Sequence, residues 1–121
     1  MVNVGVNQAS AVLRAPYGTF QTQPDAQALM EALMMEVVSL AEASGVSLNR
    51  QDVLDWYPVM NRLSPQGKTS MLQDIEACRQ TELDLFAGKV IELGKAHGIL
   101  TPVNQTVHQI IRVLETNFFV K

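Results

Sequence analysis

The sequence predicts an all-α fold, a helical bundle formed as one domain. Three observations carry that expectation. Apolar residues recur at helical spacing along most of the chain. Threonines, prolines and glycines punctuate those runs as start and stop signals. The one strand-like stretch, at the N-terminus, has no convincing second strand to pair with. The 121 residues suffice for a sizeable core and fall short of two ordinary domains. At 47% hydrophobic and 17% charged, the composition suits a folded globular chain.

At the N-terminus Val2, Val4 and Val6 alternate with Asn3, Gly5 and Asn7, which taken alone is a strand pattern. Read as helix, Asn3 and Asn7 fall one turn apart on the same face, with Arg14 two turns beyond. Helix is favoured, because a lone strand leaves its backbone groups unpaired. Gly18 to Gln23 reads as a loop. Thr22-Gln23-Pro24-Asp25 reads as a helix start with Thr22 as N-cap. Behind it Leu29, Leu33, Val37, Leu40 and Ala41 form an apolar face that Met30, Met34 and Val38 widen, and Gly45 stops the helix.

A second helical stretch runs from about Arg50 to Leu63, with Val53, Trp56, Val59, Met60 and Leu63 on one side. Pro58 must kink it or divide it in two. After a turn at Ser64-Pro65-Gln66-Gly67, a third helix is expected near Thr69 to Arg79, with Met71, Leu72 and Ile75 apolar. Thr81-Glu82-Leu83-Asp84 reads as a new cap, and the helix behind it turns Leu83, Phe86, Val90 and Leu93 inward before Gly98. Thr101-Pro102 opens the last helix, whose buried stripe is Val103, Val107, Ile110, Ile111 and Leu114. The tail with Phe118 and Phe119 is apolar for a terminus and points to packing on the body or on another subunit.

Net charge is -3 and no Lys/Arg cluster occurs, so no nucleic-acid partner is expected. No apolar run approaches membrane-spanning length, and no basic segment precedes an apolar one, so neither a membrane partner nor a signal peptide is expected. Cys78 is the sole cysteine. It excludes an internal disulfide, fits a reducing cytoplasmic compartment, and is expected as a small buried group in a helix. Gly67-Lys68-Thr69 is not a phosphate-binding loop, since Arg62 stands where that motif needs glycine and a helix precedes it. No G-x-G-x-x-G occurs, so no residue here is expected to bind a dinucleotide. His97 and His108 are read as surface or helix-end residues rather than metal ligands, and no metal site is expected.

One constellation remains. Ser70 lies at the start of one helix and Glu82 in the first turn of the next. Two helix N-termini so placed can converge polar groups on an anionic ligand. Equally, Glu82 can simply offset its helix dipole and Ser70 be a surface hydroxyl. The residues alone leave both readings open.

The run Ser70-Met71-Leu72-Gln73-Asp74-Ile75, followed by Thr81-Glu82-Leu83-Asp84, closely resembles the signature of the ketopantoate reductase (2-dehydropantoate 2-reductase) C-terminal domain. Gly98-Ile99-Leu100-Thr101-Pro102-Val103-Asn104 is similar to the G-[IV]-x-[TV]-P-x-N segment that follows there, and Asn3 to Asn7 looks like that family's N-x-x-x-N helix. The resemblance spans Asn3 to about Leu114. It implies a helical bundle of the 6-phosphogluconate dehydrogenase C-terminal-domain type, with residues 1–121 as one substrate-side domain lacking the N-terminal Rossmann domain, its expected partner. It implies a parent oxidoreductase that uses NADPH, bound mainly by that missing half, to reduce the small 2-oxo acid 2-dehydropantoate to pantoate for coenzyme A synthesis. In that scheme Glu82 is the catalytic-site carboxylate and holds the substrate's hydroxyl end, Ser70 holds its carboxylate, and Asn3 and Asn7 line the cleft.

The family's general-acid lysine lies one turn before the position of Asn3, so this chain lacks it, and Tyr17 stands where the family often has Asn. The chain by itself is therefore expected to show no reductase activity. The competing expectations are a free-standing helical interaction or dimerisation module, with a homodimer as its simplest form, and a reductase domain for a different 2-oxo acid.

Overall fold

The computed structural model of the chain describes residues 1–118, all of their regular structure helical. The expectation for Phe119 lies outside the described residues, whereas Phe118 is half-buried against the core. A π-helical turn, Asn3–Asn7, runs straight into α1 (Gln8–Leu13). Then follow α2 (Tyr17–Thr22), α3 (Pro24–Ala43), α4 (Arg50–Leu54), α5 (Trp56–Met60) and α6 (Ser70–Glu76). A second π-helical turn, Asp84–Gly88, runs into α7 (Lys89–His97), and α8 (Pro102–Asn117) closes the order.

α3 is the axis of the bundle. At 20 residues it is about 30 Å long, and it packs against the first π turn, α1, α2, α4, α7 and α8. Such a helix needs apolar residues around most of its girth. Met30, Leu33 and Met34 are fully buried and Ala26, Val38, Leu40 and Ala41 nearly so, while Leu29 and Val37 are half-exposed. The residues expected to widen the face are thus its centre. Each fully buried side chain of that size contributes about 1.5–3 kcal/mol relative to exposure.

The helical reading of the N-terminus holds, and Gly5 shows how closely that helix lies on α3. A Cβ at Gly5 would stand 2.6 Å from Met34 Cγ and 3.1 Å from the Met30 carbonyl oxygen. Only glycine allows that approach.

Several expectations need correction. The segment from Gly18 is not a loop but most of α2, fixed by tertiary anchors that local pattern does not reveal. Phe20 is fully buried, Gln21 Nε2 donates to the Met60 and Leu63 carbonyls, and the Tyr17 and Gly18 amides bond Gly67 and Pro65. Thr22 is consequently the last residue of α2 and not the N-cap of α3. Its hydroxyl donates back to Gly18, and Gln23 precedes Pro24 in the cap position. The Arg50 stretch does divide in two, with the break at Asp55 and Pro58 in the first turn of α5, where its missing N–H does no harm. Val59 is exposed there, because the short α5 presents only Met60 fully inward and Trp56 and Tyr57 in part.

Cys78 is exposed rather than buried. α6 ends at Glu76, and Cys78 has left-handed backbone (φ 57°), so that the Arg79 amide can return to the Asp74 carbonyl. Leu93 and Ile110 are each about 40% exposed. On α7 the inward positions are Val90 and Gly94, four residues apart, and Leu93 is rotated off that line. On α8 the inward line runs Asn104, Val107, Ile111, Glu115, which leaves Ile110 beside it. The unexpected members of that line are polar, Asn104 and Glu115, and both are tied. No described helix is long and apolar enough to cross a membrane.

Candidate functional site

The first helix, α6 and the second π turn meet at one edge of the bundle, since the Asn3–Asn7 turn packs against α3, α6 and the Asp84–Gly88 turn. The two π-helical turns therefore touch. A π turn widens the helix and displaces its side chains from the regular pattern, and such turns recur at functional sites.

Asn3 and Asn7 share a face as the helical spacing predicts. Asn7 Nδ2 donates to Asn3 Oδ1 at 3.1 Å. Asn7 is buried, Asn3 exposed. The other end of the Asn7 amide meets α6: Ser70 Oγ donates to Asn7 Oδ1 at 3.3 Å, and the Met71 amide approaches the same oxygen at 3.5 Å. The Met71 N–H, which can only donate, sets the orientation of the Asn7 amide with its oxygen toward α6 and its nitrogen toward Asn3. Asn3, Asn7 and Ser70 thus form one chain of hydrogen bonds across two elements distant in sequence.

Beneath that chain lies a buried hydroxyl pair. Ser10 Oγ donates to the Asn7 carbonyl at 2.9 Å and lies 2.5 Å from Thr69 Oγ1, which accepts the Leu72 amide as N-cap of α6. With the Ser10 proton on Asn7, the Thr69 proton points to Ser10. The sequence flagged neither residue for the site. A buried serine one turn after Asn7 is visible only once Ala9 and Ala11 are known to face the core.

A second buried polar chain supports the same helix from behind. Gln8 Nε2 donates to the Val4 carbonyl within the π turn at 2.7 Å and reaches Asn104 Oδ1 at 3.2 Å. Asn104 Nδ2 donates to Glu36 Oε1 at 2.8 Å, and the Glu36 carboxylate accepts the Val103 and Asn104 amides. The helix opens at Thr101-Pro102 as the sequence indicates, but the Thr101 side chain makes no cap bond, and Glu36 of α3 caps α8 instead.

Glu82 is exposed just before the second π turn, and its carboxylate has no hydrogen-bond or ion-pair partner among the described residues. It makes no hydrogen bond to Asn3, Asn7 or Ser70. Its neighbours are firmly held: Thr81 bonds Glu115, Leu83 is fully buried, and Asp84 pairs with Arg112 and His108. Hydrogen bonds from Arg112, then His108, hold the Asp84 carboxyl below its usual range. His97 ends α7 exposed, within 3.3 Å of Ser44 Oγ, as read from sequence, whereas His108 is neither a surface nor a helix-end residue but half-buried in the middle of α8, turned toward Asp84. Tyr17 packs its ring on Gly67. Asn104-Gln105-Thr106 matches the N-x-[ST] glycosylation pattern, but Asn104 is fully buried and bonded and so is inaccessible in the fold.

The fold is that of the helical part of larger oxidoreductases. It superimposes on the PanE/ApbA family ketopantoate reductase from Ralstonia eutropha JMP134 with TM-score 0.83, at 29% identity over 97% of this chain and 39% of that one. A D-mandelate dehydrogenase, solved as a ternary complex with NADH and anilino(oxo)acetate, shares the fold at TM-score 0.88 and 22% identity, over 99% of this chain and 39% of its own. In sequence the chain is 34% identical over 115 residues to the 2-dehydropantoate 2-reductase of Pyrobaculum aerophilum, covering 95% of this chain and 41% of that protein.

The family described as "Ketopantoate reductase PanE/ApbA C terminal" matches residues 1–115. The chain belongs to that family. It spans about two-fifths of the length of the curated relatives it matches.

Proposed function

We propose that this chain is the substrate-side domain of an NADPH-dependent 2-dehydropantoate 2-reductase, with Asn3, Asn7, Ser70 and Glu82 on its substrate face. The observation that supports it best is the hydrogen-bonded run Asn3–Asn7–Ser70, in contact with the turn that follows Glu82. The donor set suits a small oxygen-rich acid. Amides and a hydroxyl offer both donors and acceptors, whereas Glu82, when ionised, only accepts.

That asymmetry orients the ligand. The Glu82 carboxylate repels a second carboxylate and accepts a hydroxyl, so the hydroxyl end of 2-dehydropantoate lies toward Glu82. The Ser70 hydroxyl then meets the substrate carboxylate, exchanging its bond to Asn7 Oδ1 for one to a charged acceptor. Asn7, fixed by Ser10 beneath it, keeps the face in register. NADPH, when bound, supplies the hydride. Nothing in this donor set cradles a dinucleotide, since the chain has no G-x-G-x-x-G loop, so the cofactor is assigned to a partner domain of Rossmann type. The work left to this chain is to bind, orient and exclude water.

The test is steady-state kinetics of the chain joined to a cofactor-binding half. Glu82→Gln and Ser70→Ala are each expected to lower kcat/KM for 2-dehydropantoate by about 10²-fold. The chain by itself is expected to oxidise no NADPH with that substrate. Variants as active as the parent, or turnover by the isolated chain, would contradict the proposal. A preference for another 2-oxo acid in the same assay would keep the site and change the substrate. The reading as an interaction module draws on a different feature, the apolar strip of Ile110, Val113 and Leu114 on the outer side of α8.

A further inference from the structure

We propose that Thr81 and, on α8, Glu115 and Arg112 are positioning residues for Glu82, a clamp on the segment that carries its carboxylate, which has no partner among the described residues. The inference rests on the role given to Glu82 above and extends it to residues of the last helix.

Glu115 is the observation that calls for an explanation. It is a carboxylate on the inward line of α8 with a side chain only 6% exposed. A carboxylate so buried needs donors for both oxygens. Thr81 Oγ1 donates to Oε1 at 2.5 Å, and Arg112 Nη1 approaches Oε2 at 3.5 Å. Thr81 has one proton and gives it to Glu115, so its oxygen is free to accept the Leu83 amide at 3.2 Å. Arg112 uses its second nitrogen, Nη2, on Asp84 Oδ1 at 2.6 Å, where His108 Nε2 also lies at 3.3 Å.

The result is a bracket. Thr81 is tied to Glu115, Leu83 is buried in the core, and Asp84 is tied to Arg112 and His108. Glu82 lies between them, exposed, with its carboxylate unpartnered among the described residues and its carbonyl accepting the Leu85 and Phe86 amides. Simple stability does not need a buried carboxylate here, since an apolar residue would fill the same place on α8 without desolvating a charge. A bracket makes sense where the residue inside must stand at one place. A carboxylate on a free loop would sample many, and small displacements of a binding group weaken catalysis steeply.

Two measurements on the same variants separate this idea from the role of Glu82 itself. Amide hydrogen exchange in the 121-residue chain reads the bracket with no ligand present. Thr81→Val is expected to speed exchange at Leu83, Leu85 and Phe86 by about tenfold while Leu33 and Met34 of α3 keep their protection. Thr81→Ser, which restores the hydroxyl, is expected to return the parent rates. Arg112→Met, at a more exposed position, loosens the same amides from the other end. Unchanged rates at those amides in both Thr81→Val and Arg112→Met would overturn the clamp, whatever Glu82 does.

Kinetics of the chain joined to a cofactor-binding half then reads the consequence. Thr81→Val is expected to lower kcat/KM about tenfold with Glu82 present and to have no further effect in the Glu82→Gln background. Equal losses in both backgrounds would show that Thr81 acts on stability alone and would overturn the proposal. Loosened amides together with a fully active Glu82→Gln would leave the bracket standing and remove Glu82 from the site, which overturns positioning as its purpose.

Discussion

Asn7 uses its side-chain nitrogen, its side-chain oxygen and its carbonyl at once. These groups bond Asn3, Ser70 and Ser10 respectively, so one buried residue joins the first helix to α6. Asn7→Ala removes the side-chain bonds and leaves the Ser70 hydroxyl and the Met71 amide without that acceptor. The expected loss is about 1–3 kcal/mol of stability, read as a lower urea midpoint with the slope unchanged. Gly5 lies midway between Asn3 and Asn7, on the opposite side of that turn, against α3. Gly5→Ala sets a methyl against Met34, which is flexible, and against the Met30 carbonyl, which is not. A destabilisation of about 1–3 kcal/mol is expected, measured in the same titration. An unchanged midpoint for Gly5→Ala would mean that the first helix does not lie as close to α3 as described.

At the scale of elements, the bundle depends on helix ends being satisfied by other helices. α8 begins under the carboxylate of Glu36, which takes the Val103 and Asn104 amides and the Asn104 side chain. Glu36→Ala exposes those donors to a buried environment, and Asn104 in turn loses its hold on Gln8. About 2–4 kcal/mol should be lost, with the first turn of α8 exchanging its amide protons first. The π turns are the elements least legible in the sequence. Helical periodicity at Asn3–Asn7 was visible as a face shared by two asparagines, but nothing local says that the turn widens. The Gln8 side chain, bonding the Val4 carbonyl, belongs to that widening and was unreadable for the same reason. α2 escaped detection because its anchors come from the Met60–Gly67 segment, far along the chain. The apolar spacing of α3 and the Thr101-Pro102 start of α8 were legible because each is a local pattern that tertiary contacts merely reinforce.

For the whole molecule, the all-helical class follows from periodicity and from the lack of strand partners, while the role proposed for the polar edge comes from motifs rather than from composition. By spacing alone Ser70 and Glu82 read as surface residues, and both are exposed in the structure. Buried polar groups such as Ser10, Asn104 and Glu115 occupy positions where the spacing rule looks for leucine, so pattern alone misplaces them.

Charge also acts at this scale. The folded-state carboxyl of Asp84 titrates below its usual value, so its pairing with Arg112 and His108 stabilises the fold above the unfolded value, about 4, and is lost as pH falls through the lower folded value. The stability gap between the parent and Asp84→Asn is therefore expected to shrink on acidification below about pH 4. Because Asp84 is largely exposed, the gap should also narrow with added salt. A gap constant with pH would remove the electrostatic tie between the second π turn and α8.

The proposed substrate face joins residues far apart in sequence around one small hydroxy acid. Chemical-shift mapping of the isotope-labelled chain during titration with pantoate reads that face residue by residue. Saturable shifts gathered on Asn3, Asn7, Ser70, Met71 and Glu82 are expected, with weak affinity and little change on the far sides of α4 and α5. Shifts centred on the Ile110–Leu114 strip of α8, or on Asn3 and Asn7 with Glu82 untouched at saturation, would contradict it.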